Sequence, residues 1–255
     1  MDILDLARFV GLPVAVAALG VAVSLAAGRV LRGRIDDDTA RLMELLARGS
    51  FAFAIFLLAL TVAGGRETMS RVRDEAADEA SVLRTLRREF VAAGGDRACI
   101  ANLDGYARSV AADDWPALGA RTPKLSARTE EAWQAFSECA VRGGTPATVA
   151  AVARLEHLRA ERLEWARWRS PAVFWVVIGF SLAVGCVMYA RPDPSRVRGA
   201  VLGLYLTMFG LAIALILELE RPFGGLVSVA PTQIEAVLAE PAGNAPTPAA
   251  SGVSR

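Results

Sequence analysis

Gly49-Ser-Phe-Ala-Phe-Ala-Ile-Phe-Leu-Leu-Ala-Leu-Thr-Val-Ala-Gly-Gly65 passes without a proline into Arg66-Glu-Thr-Met-Ser-Arg-Val-Arg-Asp-Glu-Ala-Ala-Asp-Glu-Ala80. The first half is uncharged and apolar, so water is a poor solvent for it. The second half carries a charge at almost every turn, and charged side chains are costly in a bilayer. The two halves read as one helix that leaves a membrane and continues as a stalk. Along the stalk, Met69, Val72, Ala76, Ala80, Leu83, Leu86 and Phe90 recur every three or four residues and form one apolar stripe. Arg71 and Glu75 can pair at i,i+4 on the other side, and Gly94-Gly95 ends the run.

Composition agrees with a membrane protein. Of 255 residues, 54% are hydrophobic, and mean hydropathy is +0.37, more apolar than a soluble domain of this size. A net charge of +1 gives no bulk surface for nucleic acid. His157 is the single histidine, and none of the three cysteines forms a Cys-x-x-Cys pair, so no metal or cofactor is expected. No nucleophile–base pair and no phosphate-cradling glycine loop appears, and the chain does not read as an enzyme. Basic residues are nearly all arginine, Lys124 being the only lysine.

Three further spans accompany the one from about Leu46 to Gly65. Phe9 to Leu31 is apolar and rich in small residues, with acidic Asp2 and Asp5 before it rather than the basic flank of a signal peptide. Pro171 to Ala190 follows a cluster of Trp165, Trp168 and Trp175, residues that favour the membrane interface. Val197 to Leu217 carries Gly199-x-x-x-Gly203, which either permits close helix approach or faces lipid without consequence. Each is long enough for ~30 Å of hydrocarbon at ~1.5 Å per residue.

Between the second and third spans the chain is soluble in character and reads as four helical pieces. The stalk to about Phe90 is the first. Asp96 to Ala112 turns Ile100, Leu103, Tyr106 and Val110 inward, and Trp115-Pro116 closes it. Ser126 to Val141 turns Trp133, Phe136 and Ala140 inward and stops at Gly143-Gly144. The fourth opens at Thr145-Pro146, a cap followed by proline at the first helical position, and runs through Val149, Val152, Leu155, Leu158 and Trp165. The expected division is therefore 1–65 (two spans), 66–170 (extramembrane bundle), 171–225 (two spans) and 226–255, a largely disordered tail poor in apolar residues after about Glu240.

Few side chains in this frame suggest chemistry. Asp113-Asp114 are adjacent and do not face one another on a helix, so a helix-end cap or solvated corner is the better reading. His157 sits among Arg154, Glu156 and Glu161 on a charged face, and Cys186 is a small apolar filler in the third span. Cys99 begins one soluble helix and Cys139 ends the next, so an antiparallel hairpin brings them together as a disulfide or as two buried thiols.

Two stretches at opposite ends of the chain resemble the bestrophin anion channels. Ala52-Phe-Ala-Ile-Phe-Leu-Leu-Ala59, followed by Arg66-Glu-x-x-x-Arg71, is similar to their pore helix. Glu218-Leu-Glu220-Arg-Pro222-Phe223-Gly224 is similar to the segment after their fourth span. The bacterial bestrophin-like membrane proteins are a closer match. Ala111-Ala-Asp-Asp-Trp115-Pro116-Ala-Leu118, Arg159-x-x-Arg162-Leu163, Pro171-x-x-x-Trp175 and Arg221-Pro-Phe-Gly-Gly-Leu-Val-Ser-Val-Ala-Pro231 resemble their recurring segments. The resemblance implies a pore constriction at the i, i+4, i+8 positions Phe51, Ile55 and Ala59, of which two are bulky. It also implies a cytoplasmic helical domain. Gly225 to Val229 holds no carboxylate, so no calcium clasp is expected there.

The expected fold is all-α, with four transmembrane helices, the second and third extending into a helical extramembrane bundle. The expected function is an oligomeric, anion-permeable channel in the bacterial inner membrane, lined by the second span. A non-conducting sensor or scaffold whose stalk binds a partner is the alternative. The partners implied are the lipid bilayer, further copies of the chain and a small anion. Arginine counts on the two sides tie, and their weighting toward short loops favours the domain outside. The resemblance favours the cytoplasm, and that side is the expectation.

Overall fold

The computed structural model describes residues 3–31, 36–92, 97–190 and 196–240. Among the described residues every regular element is helical: α1 (Ile3–Leu31), α2 (Asp37–Ala92), α3 (Arg97–Ser109), a π-helical turn (Val110–Asp114), α4 (Trp115–Leu118), α5 (Ala127–Gly143), α6 (Pro146–Arg167), α7 (Ala172–Met188), α8 (Arg196–Leu219) and α9 (Thr232–Ala239). Four helical stretches are long and apolar enough to cross a membrane, and the fold is all-α with four transmembrane helices. The second span enters the charged stalk inside one unbroken helix of 56 residues. The third follows the bundle by way of a short non-helical link, 168–171. Pro171 causes it: proline lacks the N–H that a helix interior needs and turns the residue before it away from helix, yet it caps α7 without loss.

The chain divides into two compact units, Met1–Ser70 with Trp168–Ser228, and Arg71–Arg167 with Val229–Arg255. The first holds the spans. Its core joins Ala47, Phe51, Ala54 and Leu58 of α2 to Ile178 and Cys186 of α7 and to Leu202, Leu206, Phe209 and Ile216 of α8. Glycines set how closely its helices approach, and of the two readings of Gly199-x-x-x-Gly203 the one without consequence within the chain holds. Gly199 meets nothing, and a methyl on Gly203 would reach only Val21. A methyl on Gly210 would lie 2.4 Å from the Pro13 backbone, which fixes the α1–α8 crossing.

The second unit is built on the stalk stripe. Val72, Ala76, Ala80, Leu83, Leu86 and Phe90 are all buried in it, with Leu103, Tyr106, Trp133, Phe136, Leu155 and Leu158. Val149, expected inward, is exposed. Trp115-Pro116 does not close the second piece. The backbone widens into the π-helical turn, where the Trp115 N–H donates to the Val110 carbonyl, and Pro116 enters the first turn of α4. A normal turn would drive the proline ring into the carbonyl four residues back, and the wider turn relieves that clash. Cys99 and Cys139 form a disulfide across α3 and α5, with Cα atoms 5.6 Å apart.

The tail is in part a folded element. Ile234 and Val237 of α9 are buried, and Arg87 donates to the Val237 and Glu240 carbonyls at 3.0 and 2.7 Å. Average composition hides this short helix behind the Pro- and Ala-rich residues that follow it. Residues 241–255, on which the expectation of disorder chiefly rested, lie outside the described residues.

Candidate functional site

Phe51, Ile55 and Ala59 are spaced by four residues, and each such step advances ~40° around a helix. The structure shows the consequence. Phe51 is buried against α7 and α8, its ring 5.5 Å from Tyr205, edge to face, and 5.9 Å from Phe209. Gly185 makes room for it, since a methyl there would lie 2.7 Å from the ring. Ile55 is 47% exposed and Ala59 is exposed. Ala52, Ile55, Ala59, Ala63 and Arg66 fall within ~80° of arc, and all five are exposed. They form an uncharged strip that ends in one arginine. Leu45, Phe53, Phe56 and Leu60 are exposed farther round the same helix.

After the fourth span, Glu218 and Glu220 are both buried, and backbone donors satisfy them. The Leu226 N–H donates to Glu218 Oε2 at 2.7 Å, and the Ser170 N–H to Glu220 Oε1 at 3.0 Å. Arg169 donates to the Glu220 carbonyl at 2.9 Å. Gly225 has a φ of +88°. A methyl there would meet Glu218 Oε2 at 2.3 Å, so this position needs glycine twice over. The Pro222-Phe223-Gly224 segment is thus a turn folded onto a buried carboxylate. It anchors the end of α8.

A family model described as Bestrophin-like domain matches residues 14–234. The chain belongs to the bestrophin-like family. No curated protein and no solved structure matches it.

Trp115, Arg162 and the segment before α9 converge in the second unit on one buried polar cluster. Arg162 donates to Glu79 Oε2 at 2.5 Å and to Asp114 Oδ2 at 3.1 Å. The Ser126 N–H donates to Asp114 Oδ1 at 2.7 Å, and the Tyr106 hydroxyl donates to Glu79 Oε1 at 3.2 Å. The Arg162 guanidinium also lies 5.6 Å from the centre of the Trp115 ring. The Trp115 indole donates to the Val229 carbonyl at 2.7 Å, tying in the segment before α9. Burial works against the Arg162 charge, but Glu79 and Asp114 outweigh it and hold its pKa above the usual arginine range. Burial, then the Glu79 charge, pushes the Tyr106 hydroxyl far above its ordinary value.

Sequence reasoning missed this cluster. It read Asp114 as a cap or solvated corner, whereas the π-helical turn carries it fully inside. Glu79 lies on the flank of the stalk stripe, where a carboxylate reads as solvated. The one usable signal was Arg159-x-x-Arg162 on the same face as Leu155 and Leu158. Arg159, beside the cluster, donates to Glu130 at 2.6 Å and stacks 4.9 Å from the Trp133 ring centre. His157 is exposed and 3.2 Å from Glu161, and Cys186 is a free thiol in the membrane core.

Proposed function

We propose that the protein is an oligomeric anion pathway, with the outer strip of the second span turned toward the axis in each copy. Membership of the bestrophin-like family supports the reading, and the exposed strip Ala52, Ile55, Ala59, Ala63 and Arg66 carries it. The interior of one membrane unit is filled by Phe51, Leu58, Ile178, Leu206 and Phe209. A water-filled path therefore has to form between copies.

Around such an axis Ile55 is the bulky residue of the strip, and a ring of Ile55 side chains would narrow and dry the path. Phe51 acts behind it, holding α2 against α7 and α8. The alanines leave room for ions on either side of the constriction. A ring of Arg66 at one mouth raises the local anion concentration and repels cations. The calcium dependence of the acidic bestrophin clasp is not part of this reading, because Gly225 to Val229 offers no carboxylate.

The test is the symmetry of the purified protein in nanodiscs, imaged down the membrane normal. The proposal requires a closed ring with α2 innermost and Ile55 nearest the axis. A monomer, or a ring that places another span at the axis, refutes it and leaves the non-conducting sensor or scaffold.

A further inference from the structure

We infer that the disulfide Cys99–Cys139 operates in the working protein and that the helical domain of residues 71–167 faces the oxidising, extracytoplasmic side of the membrane. The inference does not depend on the pore reading. It reverses the orientation implied by resemblance to the bestrophins.

Two independent observations carry it. The first is the pairing. The α3–α5 hairpin brings the start of one helix beside the end of the other, with Cα atoms 5.6 Å apart, inside the range a disulfide spans without backbone movement. Cys99 is buried at the hairpin end, and Cys139 is partly exposed. Disulfides persist in oxidising compartments and are rare in a reducing cytosol. The second is charge. The short connection between the first two spans and the start of α2 carry Arg32, Arg34 and Arg41, and the connection between the last two carries Arg191, Arg196 and Arg198. Short loops rich in arginine stay in the cytoplasm, while long domains cross largely regardless of charge, and acidic residues count for little. Arg66, Arg71, Arg73, Arg162, Arg167 and Arg169 flank the spans on the domain side, so the counts tie, and it is the weighting toward the two short connections that favours the long domain, and with it both termini, on the other side.

Forming the bond removes one proton and one electron from each thiol. The electron pair passes by thiol–disulfide exchange to the disulfide of an extracytoplasmic thiol oxidase, which leaves as a dithiol. The third cysteine, Cys186, is buried in the membrane unit and has no part in this.

The experiment has two arms on the full chain expressed in bacteria. In the first, cells are quenched in acid, and denatured protein is alkylated with a mass-adding maleimide, with and without prior reduction. One modified thiol before reduction and three after it are expected. Three before reduction overturn the pairing. In the second, Glu138→Cys and, separately, Asp38→Cys are made in a background with all three native cysteines changed to serine. Spheroplasts are then treated with a membrane-impermeant maleimide. Glu138→Cys should react in intact spheroplasts, and Asp38→Cys only after detergent. The reverse pattern overturns the orientation even if the pair is oxidised. Should the cysteine-free background fail to accumulate, alkaline phosphatase fused after Arg255 of the native chain decides the same point. The reporter is active outside if the inference holds and inactive if it is wrong.

Discussion

Replacing Arg162 by methionine tests whether the polar core of the extramembrane unit is held by this one cation. Its side chain is only 4% exposed and faces Glu79 and Asp114, which are 2% and 0% exposed. Methionine keeps much of the packing volume, so the loss is chiefly electrostatic. Breaking a buried pair by removing one partner costs about 3–5 kcal/mol, because the remaining charge is left uncompensated. Here two carboxylates are left together, which places the cost at the upper end. For a chain of this size each kcal/mol moves Tm by about 2–4 °C, so the melting temperature should fall by about 10–20 °C. The assay is thermal unfolding of the detergent-purified full chain, read by near-UV dichroism. A shift under about 3 °C would refute the argument.

Two smaller predictions follow from the same unit. Burial raises the pKa of Glu75 above 4.5, opposed by the Trp165 indole that donates to it. A raised folded-state pKa gives stability that is present at low pH and lost as pH rises through the carboxylate range. Glu75→Gln should therefore flatten the stability profile between about pH 4.5 and 7 without lowering stability at pH 7, checked by denaturant titration; an unchanged slope counts against it. Truncation after Glu240 should leave expression and melting unchanged. Truncation after Ser228 removes Val229, Ile234 and Val237 from the core of this unit and should lower Tm by several degrees or abolish accumulation, as read by fluorescence-detected size exclusion.

The sequence was most legible where one physical demand dominates. Apolar length marked all four spans, and the seven-residue stripe from Met69 to Phe90 is buried throughout. It was least legible where a local device redirects a side chain. The spacing Phe51, Ile55, Ala59 keeps three residues on roughly one face, but only the packed structure reveals that Gly185 pulls Phe51 into the core while the others drift outward. Trp115-Pro116 looked like a stop because a regular helix cannot absorb that proline, and the π-helical turn that absorbs it also carries Asp114 inside. Glu79 and Arg162 look like surface charges, and their burial follows only from finding each other across 83 residues. Gly199-x-x-x-Gly203 makes no close approach, whereas Gly210, which has no such signature, does.

The central claim is the pore, and chloride flux into liposomes carrying the purified protein tests it most directly. Ile55 is half exposed within one copy, so Ile55→Ala should cost little stability, about 1 kcal/mol. Phe51→Ala opens a cavity among Tyr205, Phe209 and Gly185 and should cost about 3–5 kcal/mol. If Ile55 forms the constriction, Ile55→Ala raises chloride flux several-fold over the parent at equal protein yield, and adding Arg66→Glu reduces that flux and its preference for anions. Chloride flux equal to that of empty liposomes in both the parent and a well-folded Ile55→Ala protein would contradict the account.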